Sequence, residues 1–180
     1  PYIDLTRFQS MDDYLASISH NMRHELRGKL RFLRKQGDVR LRYYGPDEIQ
    51  AALVSLETML EFNRRRFPLT WRAQGYYANL VRQCLPARTL LMSELVVDGQ
   101  PLSWTLDFFY HGRMYKYACA FDPGFPKWSV GNLHTYLSLE ESTLGEQHRA
   151  SLSSRVDGEW MVVFRAGSVG AASPKAPRPP

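Results

Sequence analysis

Cysteine is scarce in this chain: Cys84 and Cys119 stand alone in 180 residues, with no ligand-like spacing around either. That argues against a disulfide framework and a zinc cassette, and makes a reducing cytoplasm the default compartment. The five histidines do not cluster, so nothing in the sequence calls for a metal. Long apolar runs are absent too; none approaches the ~18 residues that span a bilayer. No charged segment followed by an apolar stretch and a small-residue cleavage site opens the chain, so no signal peptide is expected. The chain starts at Pro1, which suggests an excised piece of a longer protein. Acidic residues are outnumbered, 18 against 23 Lys and Arg, and the net charge of +5 favours anionic partners.

What is present is patterning. With 44% hydrophobic residues the chain can bury one core. Met11, Tyr14, Leu15, Ile18, Met22, Leu26, Leu30 and Leu33 recur at spacings of three and four, predicting a helix over Met11–Gln36. Ser10 and Asp13 suit its start and Gly37 its end, while Ser17, Ser19 and Asn21 allow a break into two helices. Asp38–Tyr44 alternates as a half-exposed strand. Pro46 fits the first turn of a second helix carrying Ile49, Leu53, Leu56 and Leu60, ended by Pro68. Gly75–Leu85 is a third, closed by Pro86.

Three strand-like segments follow: Leu90–Val97, Leu102–Tyr110 and Met114–Phe121. Asp98-Gly99 marks the first hairpin, since both residues tolerate the positive φ of a tight turn. Asp122-Pro123-Gly124-Phe125-Pro126 breaks the sheet, and Ser129-Val130-Gly131 opens a helix to about Gly145. Trp160–Phe164 reads as a further strand, hairpinned to Leu152–Val156. From 166 to 180 the Gly, Ala, Ser and Pro content predicts a disordered tail after a domain over 1–165. A meander that delivers its last strand into a glycine-bearing helix start presents backbone N–H groups to an anionic, nucleotide-like ligand.

The element order, with Asp12-Asp13-Tyr14-Leu15-Ala16-Ser17 before the helix of Arg23, Arg27 and Arg31, Gly99-Gln100-Pro101, Phe121-Asp122-Pro123 and Ser129-Val130-Gly131-Asn132-Leu133, resembles the GNAT acyltransferases. Within them it looks like the CelD/BcsL-type (BioF-like) branch, which is related to the FemAB-like aminoacyltransferases. The resemblance covers about residues 1–147. It implies an α/β (α+β) fold, a mixed and largely antiparallel sheet flanked by helices, with an additional N-terminal basic helix. It also implies acyl-CoA as co-substrate, no metal, and transfer to a small-molecule or saccharide acceptor, with charged tRNA as the alternative donor. The pantetheine arm would lie along Met114–Phe121, facing Ala118, Cys119 and Ala120. Its pyrophosphate would meet Lys127, Trp128, Ser129, Val130, Gly131, Asn132 and Leu133.

For chemistry, the resemblance directs attention to Glu94 and Asp107 as bases and to Tyr115 or Tyr117 as acids. Strict alternation puts Tyr115, Tyr117 and Cys119 on one face of their strand and Met114, Lys116, Ala118 and Ala120 on the other. His134, one turn into the last helix, reads as a helix-surface residue. Branch members continue into a strand bearing Asp-Phe and then a Gly…Tyr-Lys segment, which residues 148–170 do not match. The strand that splays from the fourth to make the cofactor cleft is therefore expected to be missing, leaving an incomplete site or an inactive interaction module. Arg23, Arg27, Arg31 and Arg34 form a cationic stripe that would suit phosphates.

Overall fold

The computed structural model describes residues 2–4, 8–66, 73–110, 113–125, 128–144 and 161–164. The long amphipathic segment is two helices, α1 (Met11–Ser17) and α2 (His20–Arg34). Ser10 accepts from the Asp13 N–H at 3.2 Å, and Asp13 accepts in turn from the Gln9 N–H at 3.1 Å. Ser19 starts α2 by accepting from the Met22 N–H at 3.3 Å, so the serines that weaken the middle of the pattern make the break.

After β1 (Tyr2–Asp4) and these helices come β2 (Val39–Tyr43), α3 (Ile49–Arg66) and α4 (Tyr76–Cys84). Helix α3 begins three residues beyond Pro46, which lies in a turn closed by the Gly45 N–H donating to Glu48 Oε2 at 2.8 Å. The meander is β3 (Leu90–Val97), β4 (Gln100–Tyr110) and β5 (Arg113–Phe121), followed by α5 (Val130–Leu144) and β6 (Met161–Phe164). Asp98 and Gly99 take φ of 47° and 80°, the tight-turn geometry their identities predict. Pro68, Gly145, residues 152–156 and the tail from 166 lie outside the described residues.

The strands form one sheet in the order β1-β6-β5-β4-β3-β2. Strands β2 to β5 are antiparallel neighbours, whereas β6 runs parallel to β5 and antiparallel to β1. The strand read at Trp160–Phe164 is present as β6, whose expected hairpin partner lies outside the described residues; a strand beside β5, expected to be missing, is thus in place. Helices α1, α2 and α5 cover one face with Leu33, Leu95, Leu102 and Leu133; α3 and α4 cover the other with Leu56, Met59, Met92 and Leu106. This is the mixed α/β architecture anticipated above. Among the described residues, no helix is long and apolar enough to cross a membrane.

Register along β5 departs from strict alternation. Leu106 faces Ala118 while Asp107 faces Lys116, so Tyr117 is an extra residue opposite no β4 partner. Because Leu106 and Asp107 point to opposite faces, Ala118 and Lys116 do as well. Cys119, paired with Thr105, therefore parts from Tyr115 and Tyr117 and joins Lys116 on the α5 face.

A clip joins the start of β2 to the first hairpin. The Asp38 N–H donates to Asp98 Oδ1 at 2.8 Å, and the Asp98 N–H to the Asp38 carbonyl at 3.0 Å. A Cβ on Gly37 would sit 2.2 Å from Asp98 Cγ. Gly37→Ala is expected to break the clip and lower stability by about 1–3 kcal/mol. Urea unfolding followed by circular dichroism checks this; an unchanged midpoint would refute it.

Candidate active site

The described pairing of β5 with β6 runs from Arg113 opposite Met161 to Lys116 opposite Phe164, and β5 continues to Phe121. Along the second half of β5 a cleft of about 430 Å³ opens between it and the start of α5. Its walls are Lys116, Tyr117, Ala118, Cys119, Ala120 and Phe121 of β5 and Ser129, Val130, Gly131, Asn132 and Thr135 at the other side. Ser103, Thr105, Phe125 and Arg66 complete it, and none of its described lining residues is a carboxylate. Its described charges are cationic, which suits an anionic ligand, and the first turn of α5 adds amide donors and a partial positive charge.

Helix α5 begins at a strained corner. Ser129 has φ of 50°, its carbonyl takes the N–H groups of Asn132 and Leu133, and its hydroxyl is bonded by Lys29 Nζ. Lys29, also paired with Glu25, thus brings an ammonium from α2 to this helix start. Arg66, from the last turn of α3, lies with its guanidinium 4.5 Å from the centre of the Phe121 ring. Asn63 Nδ2 donates to the Cys119 carbonyl at 2.9 Å, so one acceptor of β5 is engaged by α3. Lys29, Arg66 and Asn63 were not site candidates from the sequence. They stand on helices far along the chain, and only the packing brings them here.

The sequence candidates divide. Ala118, Cys119, Ala120, Ser129, Val130, Gly131 and Asn132 line the one cleft together. Leu133 does not; it is fully buried in the core beneath α5. Trp128 packs on Phe125 at 4.5 Å and on Phe32 at 5.7 Å, fastening the loop to α2. Lys127 lies outside the described residues. Gly131 has room for a side chain, since a Cβ there would lie 3.7 Å from the Phe121 ring, an ordinary contact. Its lack of a side chain keeps the cleft open but answers no need of the fold.

Glu94 is buried on the α3 face, away from the cleft, where Oε1 accepts from the Ser55 hydroxyl and from Trp104 Nε1 at 3.1 Å. Beside it burial pushes the Tyr44 hydroxyl up to about 12. Asp107 is fully buried behind the cleft wall, and its Oδ2 accepts from the Thr105 hydroxyl at 2.8 Å. Burial raises its pKa, opposed by the charge of Lys116 and by that hydrogen bond. Tyr115 pairs with Phe108 across the strands and does not line the cleft. Tyr117 does, with its hydroxyl 2.8 Å from that of Tyr76 and its ring 5.1 Å from Phe108.

His134 is the largest departure: it is completely buried under α5, not on the helix surface. Nε2 is hydrogen-bonded to the Ser93 hydroxyl at 2.9 Å and Nδ1 to Ser103 at 3.1 Å. Burial first, and then the charge of Lys116, hold its pKa well below the ordinary 6.5. A folded value below the unfolded one means the native state binds fewer protons, so stability is lost as pH falls through about 6.5. In His134→Asn the acid-side slope should shrink by up to about 1.4 kcal/mol per pH unit, although the variant is less stable at neutral pH. Urea unfolding of both proteins from neutral pH down to about pH 5 measures it. Parallel losses in the two proteins would refute the assignment.

Residues 20–151 match the family model described as "Acetyltransferase (GNAT) domain". Among solved structures the chain is similar to the C-terminal domain (DUF2156) of a protein described as a lysylphosphatidylglycerol synthetase from Agrobacterium fabrum. The TM-score is 0.52 at 13% identity, over 78% of this chain and 42% of that one, so the chain spans less than half of that structure. It is also similar to an aminoglycoside acetyltransferase from an uncultured soil metagenomic sample, with TM-score 0.44 and 11% identity over 73% of this chain and 79% of that one. A third is a ribosomal-protein-alanine N-acetyltransferase from Brucella melitensis biovar Abortus 2308, with TM-score 0.40 and 11% identity over 73% and 82%. No curated protein matches the sequence. On the family match, which takes in both walls of the cleft, the chain belongs to the GNAT acetyltransferase domain family.

Proposed function

We propose that the chain is an acyl-CoA-dependent N- or O-acyltransferase whose carrier lies in the cleft between β5 and the start of α5. The carrying observation is the coincidence of three features in that cleft: the second half of β5 along one wall, an amide-bearing helix start, and a described lining free of carboxylates. An extended amide-bearing arm along β5 gains main-chain hydrogen bonds as an added strand does. The pyrophosphate then meets the N–H groups of the first turn of α5, with Lys29 and Arg66 as nearby countercharges.

Transfer is direct in this reading. An amine or hydroxyl attacks the thioester carbonyl, and backbone donors near Ala118, Cys119 and Ala120 receive the charge developing on its oxygen. Of the two carboxylates, Asp107 stays with the site because Thr105, whose hydroxyl it holds, lines the cleft; Glu94 is set aside as a structural group. Tyr117, tied to Tyr76, belongs to the acceptor's side. A small metabolite or envelope saccharide, processed in the cytoplasm by a CelD/BcsL-like enzyme, is the acceptor class we favour.

CoA at a hundredfold excess over Kd should raise Tm by about 5 °C or more. Gly131→Leu, in protein shown by circular dichroism to be folded, should lose that rise, because its side chain would enter the cleft that Gly131 lines. Differential scanning fluorimetry with and without CoA decides; a parent protein that is folded but unmoved by CoA overturns the proposal.

A second reading, aminoacyl transfer from charged tRNA, draws on another groove. Between α2 and α5, Arg23, Arg27, Arg31 and Arg34 line about 590 Å³ together with His20 and His24. Phosphate contacts there would make binding salt-sensitive. Charged tRNA retained at low salt, and released by Arg27→Ala with Arg31→Ala, would favour this reading in a filter-binding assay. Binding that is absent, or indifferent to salt, would remove it.

A further inference from the structure

The Lys116 end of the cleft is built differently from its mouth. From Phe121, beside the helix start, to Lys116 is about 16 Å at the strand rise of ~3.3 Å per residue. An extended arm anchored by phosphates at the mouth brings its sulfur toward Lys116. The described cation lining that end is Lys116, on the α5 face of the sheet because the bulge at Tyr117 resets the alternation.

Lys116 is held in place by α5. Nζ donates to Thr135 Oγ1 at 2.7 Å, and that hydroxyl spends its own proton on the Gly131 carbonyl at 3.1 Å. Thr135 is therefore fixed as an acceptor toward the ammonium. Directly across the β4–β5 register stands Asp107, fully buried, with Thr105 on Oδ2 and no hydrogen-bond partner on Oδ1. On α5 the neighbouring His134 is a buried imidazole whose pKa is held well below the ordinary value.

We infer that Lys116 is a catalytic residue of the acyl transfer, the ammonium that stabilises and then protonates the departing thiolate, with Asp107 and Thr135 as positioning residues. The acceptor nitrogen or oxygen forms a bond to the thioester carbon and the C–S bond breaks, its electron pair going to sulfur. The Lys116 Nζ proton passes to that sulfur, giving the free thiol and a neutral amine. The proton lost by the acceptor goes to water, from which Lys116 is recharged. This inference rests on the acyl-CoA reading above.

The test uses the thiol of bound CoA, which needs no knowledge of the acceptor. Thiolate ultraviolet absorbance is titrated with the full chain saturated by CoA, and CoA binding is measured separately by thermal shift. The bound thiol should ionise about one pH unit or more below free CoA. Lys116→Met should abolish that depression, Lys116→Arg should keep it, and Asp107→Asn should reduce it, each in protein shown by circular dichroism to be folded. If CoA binds and the thiol ionises as in free solution, or if Tyr117→Phe rather than Lys116→Met moves it, the inference is overturned. If CoA does not bind the parent protein at all, the acyl-CoA reading fails and this one with it. Should Lys116→Met not fold, Lys116→Gln and the Asp107→Asn titration carry the same comparison.

Discussion

An extra residue in β5 organises the site. Tyr117 has no partner on β4. A bulge bends its strand and increases the local twist. Backbone groups beside such a bulge must find partners. Asn63 from α3 supplies one, and a ligand arm can supply others. The bulge also decides which side chains meet there, turning Lys116 toward α5 and Ala118 toward α3.

The face under α5 departs from an ordinary apolar core. Ser93, Ser103, Thr105, Asp107 and His134 are all buried between helix and sheet. Polar groups out of water cost free energy unless bonded, and here the hydroxyls bond the imidazole, each other and the carboxylate. The band reaches the cleft at Ser103 and Thr105, so burial and solvent access meet along one network. The opposite face, under α3 and α4, is more conventional: Met59, Val81, Met92 and Leu106 pack fully buried, with Glu94 locked to Trp104 and Ser55.

Much of this was readable from local pattern. The periodicities of 3.6 and 2, the serines at helix starts and Asp98-Gly99 each act within a few residues, so they need no tertiary context. The wall formed by Ser129 to Asn132 was legible for the same reason. Leu133 and Trp128 were not separable from it, because neighbouring residues of one helix start face different directions. Glu94 and Asp107 looked alike on adjacent strands. Both faces of the sheet are covered by helices, so alternation does not tell a carboxylate beside the cleft from one that clamps a tryptophan.

The sequence alone determined the elements, their order, the turn at Asp98-Gly99 and the presence of a helix start suited to an anion, since short-range sterics and hydrogen bonding dictate these. Register was decided only on assembly, because a bulge is a relation between two strands. So too were the burial of His134, the arrival of Arg66 at the cleft, and that of Lys29 and Asn63 against its lining residues. Those depend on which distant segments pack together, and packing energy is shared across contacts that no single stretch of chain contains.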